Sequence, residues 1–157
     1  MLIIPDITII STWLKNLNAI FHLSTERNTI ELIYLQKVNG IANADISLID
    51  DIMTISIYSP VKQIALPALF TEISQINSAT FLAKVYLELR DNENARIVFS
   101  YSISISEGIT FNQFSLCLSR FEEEALQVIT ELDSCDLLLN SLETSALLTF
   151  NNLNTYH

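Results

Sequence analysis

The chain has 157 residues, 50% of them hydrophobic, and carries 18 Asp and Glu against 8 Lys and Arg, a formal net charge of −10. That length suits one domain around one core, and that charge repels a nucleic-acid backbone, which disfavours direct binding of DNA or RNA. Every apolar run is broken within a few residues by Asn, Ser, Thr, Asp or Glu, so no stretch can span a membrane. Met1-Leu2-Ile3-Ile4-Pro5-Asp6 lacks the basic start and small-residue cleavage site of a secretory signal, and the expected location is the cytoplasm.

The first periodic segment follows Asp6, a suitable helix cap. Ile7, Ile10, Leu14 and Leu17 fall at helical spacing and predict a helix from Ile7 to about Asn18. Ile30 to Leu35 is apolar on both sides and rich in β-branched and aromatic residues, the pattern of a covered strand. From Ile41 to Ile57 the period becomes two: Ala42, Ala44, Ile46 and Leu48, then Met53, Ile55 and Ile57, with Asp50-Asp51 between them, predict a hairpin. Pro67 opens a second helix whose stripe is Leu69, Ile73 and Ile76, ending near Asn77-Ser78.

Two strands alternate most regularly: Phe81, Ala83, Val85, Leu87 and Leu89, then Ile97, Phe99, Tyr101, Ile103 and Ile105, joined by the polar loop Asp91-Asn92-Glu93-Asn94. Thr110 and Gln113 form a capping-box pattern ahead of a long helix with Phe111, Phe114, Leu118, Phe121, Ala125, Val128, Ile129 and Leu132 on one face. The remainder lacks a sustained period, so residues 1–140 are expected to form a single domain and 141–157 a loose tail. In chain order these elements predict an α+β fold (α-β-β-β-α-β-β-α): a two-layer, antiparallel five-stranded sheet with helices packed on one face.

Chemistry is hard to find. With only Gly40 and Gly108, neither a Walker loop nor a dinucleotide fingerprint can be built. His22 and His157 lie near opposite ends, without the local spacing a zinc site needs. Cys117 and Cys135 form neither a CxxC nor a disulfide framework, and Cys117 reads as a small apolar packer on the long helix. A nucleophile there would depend on His22, the one credible imidazole. Asp50-Asp51 reads as a turn. Glu122-Glu123-Glu124 reads as a solvated helix face first and a recognition patch second. The expectation is no catalytic residue, no cofactor and no metal.

Leu48-Ile49-Asp50, Ala65-Leu66-Pro67, Ile76-Asn77-Ser78, Lys84, Gly108-Ile109-Thr110, Gln113-Phe114, Val128-Ile129 and Leu137-Leu138-Leu139 together resemble the enterobacterial branch of the YbjN family, over about Ile7 to Leu139. The resemblance implies a fold similar to class I type III secretion chaperones and a tendency to dimerise. It also implies links to stress tolerance, motility and exopolysaccharide control, with no enzymatic activity.

The leading expectation is a non-enzymatic regulatory protein, a homodimer that engages an unidentified protein partner. The alternative is a chaperone that holds a segment of a client protein. A small-ligand sensor or enzyme would require a pocket with convergent polar groups. If Phe81, Val85, Leu87, Phe99 and Tyr101 face the helices, period two sends Leu82, Tyr86 and Val98 to the other face among Lys84, Glu88 and Arg90. With Phe70 at the edge of the second helix's stripe, and with Glu122 and Glu123, these residues make up the candidate dimer or partner surface.

Overall fold

A computed structural model describes residues 1–139; the tail expected over 141–157 lies outside the described residues. Asp6 caps helix α1 (Ile7–Asn16), its carboxylate accepting from Ile9 N at 2.8 Å. Strands β1 (Phe21–Ser24) and β2 (Thr29–Leu32) follow, then a single helical turn α2 (Ile33–Gln36), strands β3 (Asn43–Ile49) and β4 (Ile52–Pro60), helix α3 (Leu66–Ala79), strands β5 (Lys84–Glu88) and β6 (Arg96–Ser104), and helix α4 (Phe111–Ser134).

All six strands form one antiparallel sheet in the order β1-β2-β3-β4-β6-β5. The α+β class holds, but the described residues contain six strands where five were expected. The unforeseen strand is β1, which is short and half-exposed and holds His22 between Phe21 and Leu23, so it shows no clean alternation. The expected strand over Ile30 to Leu35 also breaks. Ile30 and Leu32 are buried with period two, and the next buried residue is Leu35, a helical step later, on α2.

The hairpin turn at Asp50-Asp51 is where the pattern put it, with Ile49 paired to Ile52 and Asp50 at φ 55. Such a left-handed conformation favours Asp and Asn over branched residues. Thr110 and Gln113 form the reciprocal capping box at the start of α4, at 3.0 and 2.8 Å. From there Phe114, Leu118, Phe121, Ala125, Ile129 and Leu132 run buried along one face.

Burial explains the two layers. Ile10 and Leu14 of α1, Leu35 of α2, Leu69 of α3 and the α4 stripe share one core with Ile30, Ile46, Ile55, Ile57, Val85 and Phe99 of the sheet. Trp13 sits against Phe111 and Phe114, with ring centroids 6.1 and 5.3 Å apart, which fastens α1 to α4. Tyr101 stacks on Phe121 at 6.5 Å and fastens β6 to the same helix. Both flanks of α4 are tied back by short bridges, Ile3 with Ile109 and Val61 with Leu138. At the first bridge Gly108 has φ +86, and a Cβ there would lie 3.2 Å from the Ile3 backbone, so the close approach needs glycine.

Phe81 departs from expectation. It is 95% exposed and lies outside β5, which starts only at Lys84. The reason is Glu124 of α4, whose carboxylate accepts from the backbone N–H groups of Phe81, Leu82 and Ala83 at 2.8 to 3.1 Å. Those three residues therefore bond to a side chain instead of extending the β5–β6 ladder, and the alternation that pointed Phe81 inward ends before reaching it. Leu89, past the other end of β5, is likewise exposed.

Candidate partner surface

Cross-strand register defines the face of the sheet that the helices leave uncovered. Partners across a ladder point to the same side, so Tyr86, Val98, Tyr58 and Asn43 form one row, and Lys84, Ser100, Ser56, Asp45, Glu31 and His22 the next. Val98 lies between Tyr86 and Tyr58. It was expected as an exposed contact residue, but it is fully buried, because the two rings flank it on the adjacent strands. What this row presents to solvent is therefore the tyrosines, with Val98 packed between them.

Cations cover these rings. The Arg96 guanidinium carbon lies 4.1 Å from the Tyr58 ring centroid, and Lys84 Nζ lies 5.6 Å from that of Tyr86; each such pair is worth about 0.5–1 kcal/mol at an exposed site. Arg96 also pairs with Glu88 on the neighbouring strand, and that hydrogen bond holds the Glu88 carboxyl below its usual range. In the adjacent row, burial pushes the Asp45 carboxyl up to about 6. The Arg96 charge opposes that rise and the Glu31 charge adds to it. The Tyr58 hydroxyl is raised as well, by burial first and then by Asp45. The result is a platform of aromatic and guanidinium surface beside a carboxyl whose titration is moved up to about pH 6.

The six candidate residues do not come together on this platform. Val98, Leu82 and Tyr86 do, and the last two line with Lys84, Ser100 and Ser102 a hollow of about 600 Å³ beside the end of β5. Phe70 is exposed, but on α3 in the helix layer. Glu123 is exposed on α4. Glu122 is not the solvated acid it was read as: it is half-buried, accepts a hydrogen bond from the Tyr34 hydroxyl, and has its pKa raised by burial.

Tyr58, Arg96 and Asp45 were not singled out from the sequence. Tyr58 stands one residue past the alternation read as ending at Ile57, and its row could have been found by extending that strand. Cys117 is half-buried, with its Sγ 3.8 Å from the Tyr101 hydroxyl, while Cys135 and His22 are exposed. Among the described residues no three His, Cys, Asp or Glu side chains are grouped to hold a metal, and no helix is long and apolar enough to cross a membrane.

Residues 46–134 match the YbjN family model, described as "Putative bacterial sensory transduction regulator". The chain is 28% identical over 138 residues to the uncharacterized YbjN proteins of Escherichia coli K12 and Shigella flexneri, which covers 88% of this chain and 87% of each relative. The crystal structure of E. coli YbjN, described as "a putative transcription regulator", superposes with a TM-score of 0.85 at 28% identity, over 90% of this chain and all of that one. An uncharacterized protein from Methanothermobacter thermautotrophicus shares the fold, with a TM-score of 0.58 at 13% identity over 81% of this chain and 96% of that one.

Proposed function

The chain belongs to the YbjN family, and from that membership we propose that it is a regulator that acts by binding another protein on the helix-free face of its sheet, without catalysis of its own. The observation that carries this reading is the Tyr86–Val98–Tyr58 row with Arg96 laid over Tyr58. Tyrosine and arginine are the side chains that most often anchor protein interfaces, because they bring large rigid area at low entropic cost. Here they are already ordered by their neighbours, so little freedom remains to be lost on binding. The net charge of −10 favours a protein over DNA as the partner, and in this reading any effect on transcription is indirect.

The test is a photo-reactive amino acid placed at Tyr86 and, as a control, at exposed Leu116 on α4, followed by irradiation in cells. A discrete protein adduct from position 86 that is missing from 116 is the expected result. Equal adducts from both positions, or none from 86, would remove the reading. An adduct of twice the chain's mass would identify the partner as a second copy, the expected homodimer. In that case Tyr86→Glu, which forces a charge into the contact, shifts sedimentation velocity toward monomer. Stress tolerance, motility and exopolysaccharide output are the cellular effects in which loss of the surface should be read.

A further inference from the structure

A second concave site lies on the helix side of the sheet. Ser115, Leu118, Ser119 and Glu122 of α4 are spaced i, i+3, i+4 and i+7 and so form one stripe. The turn after α1 (Leu17, Asn18, Ala19) and Tyr34 of α2 close over this stripe to leave a cleft of about 370 Å³, at the small end of the roughly 300–1,000 Å³ common for organic ligands. The turn is well fixed: Leu17 N and Ala19 N both donate to Leu14 O, at 3.1 and 3.0 Å, and Asn18 takes φ 57.

Glu122 is the chemical focus. Tyr34 donates to its Oε1, and Oε2 has no hydrogen-bond partner among the described residues; no Lys or Arg there forms an ion pair with it. A carboxylate offers about four acceptor positions, and one is used. Glu122 is half-buried, so its open Oε2 reaches solvent through the cleft, while the partial burial raises its pKa with only the Tyr34 bond opposing it. A cation small enough for the cleft can replace that solvent and supply the counter-charge. Leu17, Ala19 and Leu118 give the cleft hydrocarbon wall, and Asn18, Ser115 and Ser119 line the same space.

We propose that this cleft binds a small aliphatic ammonium ion, with the head group taken by Glu122 and the serine hydroxyls and the alkyl chain by the leucine and alanine walls. Three ammonium N–H donors match the free carboxylate oxygen and the two hydroxyls. The surrounding field of a chain with net charge −10 draws cations toward the site. The cleft and the open sheet face share none of their lining residues, so this inference stands apart from the partner surface.

The probe is n-butylammonium chloride, titrated into the full chain and followed by amide chemical shifts, with neutral 1-butanol as the isosteric control. Saturable shifts confined to Leu17–Ala19, Tyr34 and Ser115–Glu122 are expected, with 1-butanol at least about tenfold weaker. Glu122→Gln should weaken the ammonium to the level of the alcohol. If that variant fails to fold, Ser119→Leu decides, since it fills the cleft from an exposed helix position and should abolish binding. No saturable shifts with butylammonium, equal binding of butanol, or undiminished binding in the folded variants would each overturn the proposal.

Discussion

Asp45→Asn should stabilise the protein at neutral pH and erase part of its pH dependence. Asp45 sits mid-strand on β3, opposite Ser56 on one side and Glu31 on the other. Burial is the main cause of its rise from 3.8 to about 6, with Glu31 adding and Arg96 opposing. Because the folded-state pKa is raised, the folded chain binds more protons than the unfolded chain between about pH 4 and pH 6. Stability therefore falls as pH rises through that window and is level above it. A shift of about two units corresponds to a ceiling of about 3 kcal/mol at 1.36 kcal/mol per unit. Asp45 is only partly buried, and solvent screening reduces this to about 1–2 kcal/mol. Urea unfolding of both proteins at pH 4 and pH 7.5 is the assay, read as a change in midpoint at constant slope. Asn is expected to be ahead by that amount at pH 7.5 and level near pH 4. Comparing the difference between the two proteins cancels Glu122, which titrates in the same direction. An Asn variant equal to or weaker than the parent at pH 7.5 would show that attraction to Arg96 outweighs desolvation, and the reasoning would fail.

Phe99 is fully buried between Val85 and Ile57 in the central ladder, so Phe99→Ala should cost about 3–5 kcal/mol by chemical denaturation, with a loss below about 1 kcal/mol refuting its place in the core. Glu124→Ala strips the acceptor from three consecutive backbone N–H groups; a loss of about 2–3 kcal/mol is expected, with faster amide exchange at Leu82 and Ala83, and unchanged exchange there would contradict the clamp. Combined Ala replacement of His22, Cys117 and Cys135 should leave complementation of a deletion strain intact; abolished complementation with the fold preserved by circular dichroism would reinstate a catalytic or metal role.

The elements whose periodicity matches their burial were readable from the chain: α1, the β3–β4 hairpin, β6, and α4 with its capping box. Each has one buried side and a turn or cap residue at its boundary. The misread segments are those where a distant residue decides the outcome. Phe81 continues the alternation of Val85 and Leu87 perfectly well in sequence, but the carboxylate that takes its N–H belongs to Glu124, far along the chain. The acidic triplet on α4 shows the same limit. Successive helical residues point about 100° apart, so Glu122 enters the cleft, Glu123 meets solvent and Glu124 reaches the start of β5, three roles under one composition signal. The cleft itself left a faint trace in the i, i+3, i+4, i+7 spacing from Ser115 to Glu122. Its other wall, Tyr34, lay in a segment whose pattern read as strand, which hid the pairing.

Strand order also permits an order of assembly. β1 to β4 are a run of neighbours linked only to the next in sequence, so a growing chain can build this meander while the rest is still being made. β4 is then a temporary edge, with Met53, Ile55 and Ile57 on one side and a full row of unpaired backbone groups along it, until β6 arrives from beyond α3 and β5 and closes it. Loop-closure entropy makes this long-range pairing costlier to form than the local hairpins. In that interval a β4 edge on one nascent chain can be paired by a strand of another, which makes the time before β6 docks the period of greatest risk of edge-to-edge aggregation.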